Sequence, residues 1–374
     1  MRNKYLTKFT PRYVVFLVLI IGCMITGCSN HPTDQGQQYL DGQLANNFNL
    51  SQPHLGIPIN IADYLMQVNA IERTSPSLYK KNQAIYQAIN QWIASGFTTD
   101  KFNRVGLSNY QLIGQDQMGN VHLTGYYTPV LKARHQPDSE FRYPIYAKPT
   151  NWQGELPTRE EIYNGAFDGQ KLEIAYTQSL IDNFIMEVQG SGYIDFENNE
   201  PLVFFGYSGK NGHPYKSIGR LLIEQGEIDR DKVSMQAIKA WADKQNEQKV
   251  INLLKQNASA VFFQPQYNGA VVGSTGIPLV AKAAVASDQS IIPAGSVILI
   301  DVPLLDDKGV YRGQRELRLM IALDVGGAIK GQHLDVYQGI GDEAGHKAGY
   351  YNHYGRVWLL KPTANSHLAI PITN

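Results

Sequence analysis

Asp324 and Asp335 bracket a glycine-rich loop, Leu323-Asp324-Val325-Gly326-Gly327-Ala328-Ile329-Lys330-Gly331-Gln332-His333-Leu334-Asp335-Val336-Tyr337, set between apolar runs. Paired carboxyl groups of this kind can exchange protons with a glycosidic oxygen. Ahead of them, Leu317-Arg318-Leu319-Met320-Ile321-Ala322-Leu323 is apolar at nearly every position, the pattern of a strand buried on both faces, so Asp324 falls at a strand end. Gly326, Gly327 and Gly331 permit positive φ and close backbone approach, from which a tight reversal returning Asp335 to the side of Asp324 is expected. Spacing alone leaves two readings level. Either both carboxylates share one pocket, or Asp324 forms a turn and Asp335 is solvated.

Other chemistries have less support. His333, His346 and His353 lack metal-ligand spacing, so no metal is expected. Gly206-Tyr207-Ser208-Gly209 departs from the Gly-x-Ser-x-Gly elbow and has no triad context. The two cysteines, Cys23 and Cys28, both lie near the N-terminus. That segment carries Arg2, Lys4, Lys8 and Arg12 with no acidic residue, then the apolar run Val14 to Ile21, the order of a secretory signal. It is too short for a span of about 20 residues. Ile25-Thr26-Gly27-Cys28 resembles a bacterial lipoprotein processing box, making residues 1–27 the signal and Cys28 the lipidated end; Ser29 in place of Asp suggests outer-membrane sorting. Residues 28–50 are polar and read as a tether. Cleavage removes four basic residues from a chain with 33 Lys+Arg and 33 Asp+Glu, leaving a small acidic excess and no thiol for a disulfide or nucleophile. Nucleic acid is not an expected partner.

The remaining chain is long enough for two domains. Helical spacing of apolar residues predicts helices over Thr74–Gly96 and Tyr176–Val188, closed by Gly96 and by Gly190 and Gly192. Shorter ones are expected over Ser217–Gln225, Ser234–Ala242 and Glu247–Gln256. Strands are expected over Val121–Leu123, Tyr143–Ala147, Leu202–Phe205, Leu279–Val285, Val297–Val302, Leu317–Leu323 and Arg356–Leu360, which are β-branched or aromatic and set between turn residues. This is a barrel-rich, mainly β (α+β) pattern.

Four blocks then carry a specific resemblance: Thr124-Gly125-Tyr126-Tyr127-Thr128-Pro129-Val130, Asp182 through Gly192, Tyr207-Ser208-Gly209-Lys210-Asn211-Gly212-His213, and Asp324 through Tyr337. In this order they resemble the membrane-bound lytic murein transglycosylase A family, over residues from about 50 to 362. The resemblance implies a double-psi β-barrel catalytic domain from residues 51–130 and 261–374, a smaller β domain inserted at 131–260, and a groove between them for a glycan strand. It implies a lyase that breaks the β-1,4 bond between N-acetylmuramic acid and N-acetylglucosamine in peptidoglycan without water, leaving a 1,6-anhydro ring, with no cofactor. Its single catalytic aspartate falls on Asp335, with Asp324 and Asp288 in supporting roles. Such a carboxyl must first be an acid, so its pKa must be raised, and then a base for the O6 hydroxyl that closes on C1.

Substrate contacts are expected from Tyr126, Tyr127 and Thr128, whose rings suit sugar faces or the packing of an ordinary strand. Gln189, Gly190, Ser191 and Gly192 lie past a helix end, where backbone groups are free, although a plain glycine cap accounts equally for Gly190. Lys330 is either a contact for the lactyl carboxylate or an exposed loop lysine. The implied setting is the periplasmic face of a Gram-negative outer membrane, lipid-anchored, with other cell-wall enzymes as candidate partners. Two rivals remain: an inverting peptidoglycan hydrolase on the same barrel, and a non-catalytic peptidoglycan-binding lipoprotein.

Overall fold

The computed structural model describes residues 48–50 and 57–363, apart from 98–101, 103, 115, 268 and 307–308. The expected signal segment and Cys28 lie outside the described residues, and among these no helix is long and apolar enough to cross a membrane. The end of the stretch read as tether is not loose chain. Phe48–Leu50 forms a strand, β1, paired antiparallel with β2 (Leu107–Leu112).

β2 and β3 (Val121–Thr128) lead into a second sheet. It is built from β4 (Val130–Arg134), β5 (Tyr143–Tyr146), β6 (Glu173–Thr177), β7 (Gly192–Asp195), β8 (Val203–Lys210) and β9 (Val261–Gln266), in the order β5-β6-β4-β7-β8-β9. The chain then returns to the first sheet through β10 (Ala284–Ala286), β11 (Val297–Leu305), β12 (Tyr311–Asp324), β13 (His333–Ile340) and β14 (Asn352–Pro362). Because β14 pairs with both β11 and β3, the order β14-β11-β12-β10-β13-β3 closes on itself as a barrel. β12 and β13, joined by the glycine-rich loop, are separated by β10, and β13 and β14 are separated by β3. These two strand-skipping connections are the double-psi pattern.

Alternation along the strands divides the core. Val121, Leu123, Ile298, Ile300, Met320, Ala322, Leu334, Val336, Val357 and Leu359 fill the barrel interior. The outer wall, including Leu299, Leu319, Ile321 and Trp358, is covered by α1 (Ile61–Thr74) and α2 (Pro76–Ala94), which bury Tyr64, Ile71, Ile89 and Trp92 against it. In the insert, α3 (Arg159–Tyr163), α4 (Leu180–Gln189), α5 (Ile218–Glu224), α6 (Met235–Ala242) and α7 (Glu247–Leu254) flank the second sheet, and α4 to α7 share a core of Phe184, Leu222, Trp241 and Leu254. Serines cap both α5 and α6, Ser217 accepting from Arg220 N and Ser234 from Ala237 N.

Three elements differ from expectation. α4 starts later than Tyr176, because Ser179 caps it and Tyr176 belongs to β6. Of Leu279–Val285 only the last residues enter a strand, since Ala283 N and Ala284 N both donate to the Val280 carbonyl in a turn that holds Lys282 at φ 61. α8 (Gly341–Tyr350) forms despite two interior glycines, and Gly345 shows one reason: a Cβ there would stand 2.6 Å from the Tyr127 ring.

Candidate active site

Period-two geometry writes the site onto the outer faces of two neighbouring parallel strands. On β3 that face carries His122, Thr124 and Tyr126; on β13 it carries His333, Asp335 and Tyr337, in register opposite them. Each rung is a contact. The two histidine rings stack at 4.4 Å, Thr124 Oγ1 lies 2.8 Å from Asp335 Oδ1, and the tyrosine rings meet at 5.2 Å.

Asp324 arrives from the other side of β10. Ala286 is paired with both Asp324 and Asp335, so a single strand separates the two carboxyl-bearing residues. The register shifts between Val285 and Ala286, and this bulge takes Asp324 out of the interior-facing series of Met320 and Ala322. Its carboxyl accepts from Ser274 N at 2.8 Å, Val325 N at 2.9 Å and the Tyr126 hydroxyl at 3.0 Å. The expected tight reversal is therefore corrected: the 325–332 loop does not fold β13 directly back on β12 but carries it past β10, with Gly331 at φ 65. The two aspartates become neighbours by strand insertion.

Their electrostatics differ. Burial pushes Asp335 up to about 7; the Thr124 hydroxyl opposes this and the Asp324 charge adds to it. Burial also raises Asp324, but its three donors work against the rise. Asp288 behaves in the opposite way: the Ser290 hydroxyl at 2.7 Å and Gly331 N at 2.9 Å hold its carboxyl below the usual range. It ties the turn after β10 to the glycine loop and makes no bond to Asp335.

A groove of about 520 Å³ opens between the two sheets, lined by Tyr126, Tyr127, Thr128, Gln189, Gly190, Ser191 and Asp324 among others. Gln189 Oε1 accepts from Tyr127 N at 2.9 Å, which joins the end of α4 to β3 across the groove. Gly190 caps α4 in the left-handed region at φ 83 and Gly192 is buried at the start of β7, packed under Met186. Thr128, at the groove wall, is largely buried and its hydroxyl hydrogen-bonds the Tyr337 hydroxyl at 3.1 Å. Lys330 is exposed beside Asp288 and does not line the groove. Sequence reasoning missed Thr124 and His333. The signal was present, since each stands two residues before a residue already singled out, Tyr126 and Asp335, and so shares its strand face.

Comparison with known proteins agrees with this architecture. Residues 122–264 match the family model described as the MltA specific insert domain, and residues 283–361 match the 3D domain. Membrane-bound lytic murein transglycosylase A of Escherichia coli (strain K12) is 53% identical, over 94% of this chain and 96% of that protein. The Vibrio cholerae protein of the same name is 44% identical, over 90% of this chain and 92% of that protein. The crystal structure of E. coli MltA with bound chitohexaose superposes with a TM-score of 0.82 at 53% identity, covering 88% of this chain and 99% of that one. A membrane-bound lytic murein transglycosylase from Agrobacterium tumefaciens gives a TM-score of 0.60 at 29% identity, over 71% of this chain and 80% of that one.

Proposed function

The chain belongs to the membrane-bound lytic murein transglycosylase A family, and from that premise we propose how its groove works. It is a lytic transglycosylase that cleaves peptidoglycan. The observation that carries the mechanism is the placement of Asp335 and Asp324 on either side of Ala286, with Asp324 in the groove wall. Asp335, half-buried and uncharged over much of the range below neutrality, donates its proton to the leaving glycosidic oxygen. Asp324, whose carboxyl accepts from Ser274 N, Val325 N and the Tyr126 hydroxyl, faces the positive charge that develops at C1. The Asp335 carboxylate then takes the proton of the muramic acid O6 hydroxyl, which attacks C1 and closes the 1,6-anhydro ring. The nucleophile is part of the substrate, so no second water-activating carboxylate is required. Asp288 shapes the loop, while Tyr126, Tyr127, Gln189 and Ser191 contact the glycan.

Digestion of purified sacculi in heavy-oxygen water tests this reading. Products one water lighter than reducing ends, with no label at muramic acid C1, are expected; label at C1 would overturn it in favour of hydrolysis.

The same reading assigns residues 51–130 and 261–374 to the catalytic barrel and 131–260 to the insert that completes the groove, except that β9, Val261–Gln266, pairs with β8 and belongs with the insert. Relatives named membrane-bound support membrane association. We assign the anchor to a lipid on Cys28, holding the enzyme on the periplasmic face of the outer membrane with glycan strands as its substrate and other cell-wall enzymes within reach. Cys28→Ala should abolish lipid labelling and disturb signal cleavage while leaving the melting temperature of the fold unchanged, because the segment reads as a tether. Persistent lipid labelling would exclude Cys28 as the site.

A further inference from the structure

The Thr124 hydroxyl has one hydrogen and two partners at bonding distance, Asp335 Oδ1 at 2.8 Å and His333 Nε2 at 2.9 Å. It can donate to only one of them. The other ring nitrogen of His333 is occupied, because the imidazole also hydrogen-bonds the Ala328 backbone in the glycine loop, in the sense that favours a protonated nitrogen there. With Nδ1–H directed to the Ala328 carbonyl, a neutral ring presents Nε2 as a bare acceptor. We propose that His333 is a positioning residue for the catalytic proton: it draws the Thr124 hydroxyl toward itself, so that Thr124 accepts from Asp335 and the chain of bonds is complete only when Asp335 is protonated.

The surroundings keep the ring neutral. Burial and the stacked His122 ring push His333 down to about 3, and the Ala328 bond does not compensate. His122 is itself lowered by burial and donates Nε2–H to Asn352 Oδ1 at 2.7 Å. Asp324 and Tyr126 face Asp335 from the opposite side, and the Asp324 charge acts in the same direction as the proposed chain. Once Asp335 has given up its proton, Thr124 cannot satisfy both the carboxylate and His333 Nε2. The carboxylate is then left a stronger base for the O6 hydroxyl, and one device serves both halves of the reaction.

This rests on Asp335 being the acid of the reaction, and the test separates the two ideas. In the full chain in detergent, nitrogen NMR of the histidine rings should show His333, identified through its contacts with His122 and Thr124, as the neutral Nδ1–H tautomer at neutral pH. An Nε2–H tautomer would overturn the proposal whatever the role of Asp335. His333→Phe, which keeps a ring to stack on His122, should free Thr124 to donate to the carboxylate and lower the alkaline limb of kcat/KM by about one pH unit, the scale of one hydrogen bond to a charge. In His333→Phe/Thr124→Val the hydroxyl is gone and this shift should disappear. An alkaline limb unmoved in folded His333→Phe would leave His333 a merely structural residue. An Asp335→Asn variant with near-normal turnover would instead remove the premise while leaving the tautomer result intact.

Discussion

Two carboxyl groups near the groove, one in the insert and one on the barrel, are treated in opposite ways by their surroundings. Glu187 at the end of α4 meets Arg159 in a two-bond pair, Nη1 to Oε1 at 2.9 Å and Nη2 to Oε2 at 2.8 Å, and also accepts from Val261 N at 2.8 Å. Burial works against the Arg159 charge, but Glu187 and the Tyr163 hydroxyl outweigh it. Among the described residues Asp335 receives no such partner. Its neighbours are a hydroxyl and another carboxyl, so the cheapest way to occupy that position is to keep a proton. A saturated carboxylate ties elements together. An unpaired one is left with a proton to give.

The sharpest way to break this contrast is to remove both acids in turn. Asp335→Asn keeps the shape and the Thr124 contact but carries no transferable proton, so release of anhydro products should fall by at least ~10²–10⁴-fold while sacculus binding persists. Near-normal activity would show that the chemistry lies elsewhere. Arg159→Met should act on the fold instead. It strands Glu187 without a counter-charge and should cost about 3–5 kcal/mol in denaturant unfolding, part of which Glu187→Leu in the same chain recovers. A loss of turnover without loss of stability would mean that the insert pair takes part in the reaction.

The two regions were also unequally legible. Parts of three barrel strands, residues 297–302 in β11, 317–323 in β12 and 356–360 in β14, were visible as apolar runs because both of their faces are covered. Short insert strands such as Glu173–Thr177 and Gly192–Asp195, with only part of their residues buried, left little pattern to read. α1 escaped notice for a specific reason. Asn60 stands at its N-cap, yet its side chain makes no capping bond and instead spans to Leu319 N, Leu319 O and Lys282 O, fastening the helix to the barrel. The pairing of Asp324 with Asp335 could be suspected from the loop between them. That β10 would lie between their strands could not, because strand insertion is decided by pairings with Ile321, Ala322 and Val336 far along the chain.

A third carboxyl extends the comparison, with the smallest expected effect. Asp335 has a folded pKa above its unfolded value of about 4, so the folded protein retains a proton that the unfolded chain releases. Its contribution to stability is full below pH about 4 and is lost as pH rises toward 7. Asp288 has the reverse sign: the Ser290 hydroxyl and Gly331 N favour its ionised form, so its contribution is present above pH about 4 and lost as pH falls through its lowered pKa. Thermal melts across pH should therefore show Asp335→Asn gaining on the wild type between about pH 4 and 7, whereas Asp288→Asn should stand below the wild type by a constant margin there and close the gap only in acid below about pH 4. An asparagine at 288 can still accept from Gly331 N but places an amide beside Ser290, so turnover should drop by at most about tenfold, the equivalent of one net hydrogen bond. If Asp288→Asn instead matched Asp335→Asn in lost activity while keeping its melting curve, Asp288 would have to touch the substrate, and the division between tethering and proton-carrying carboxyls would fail at that residue.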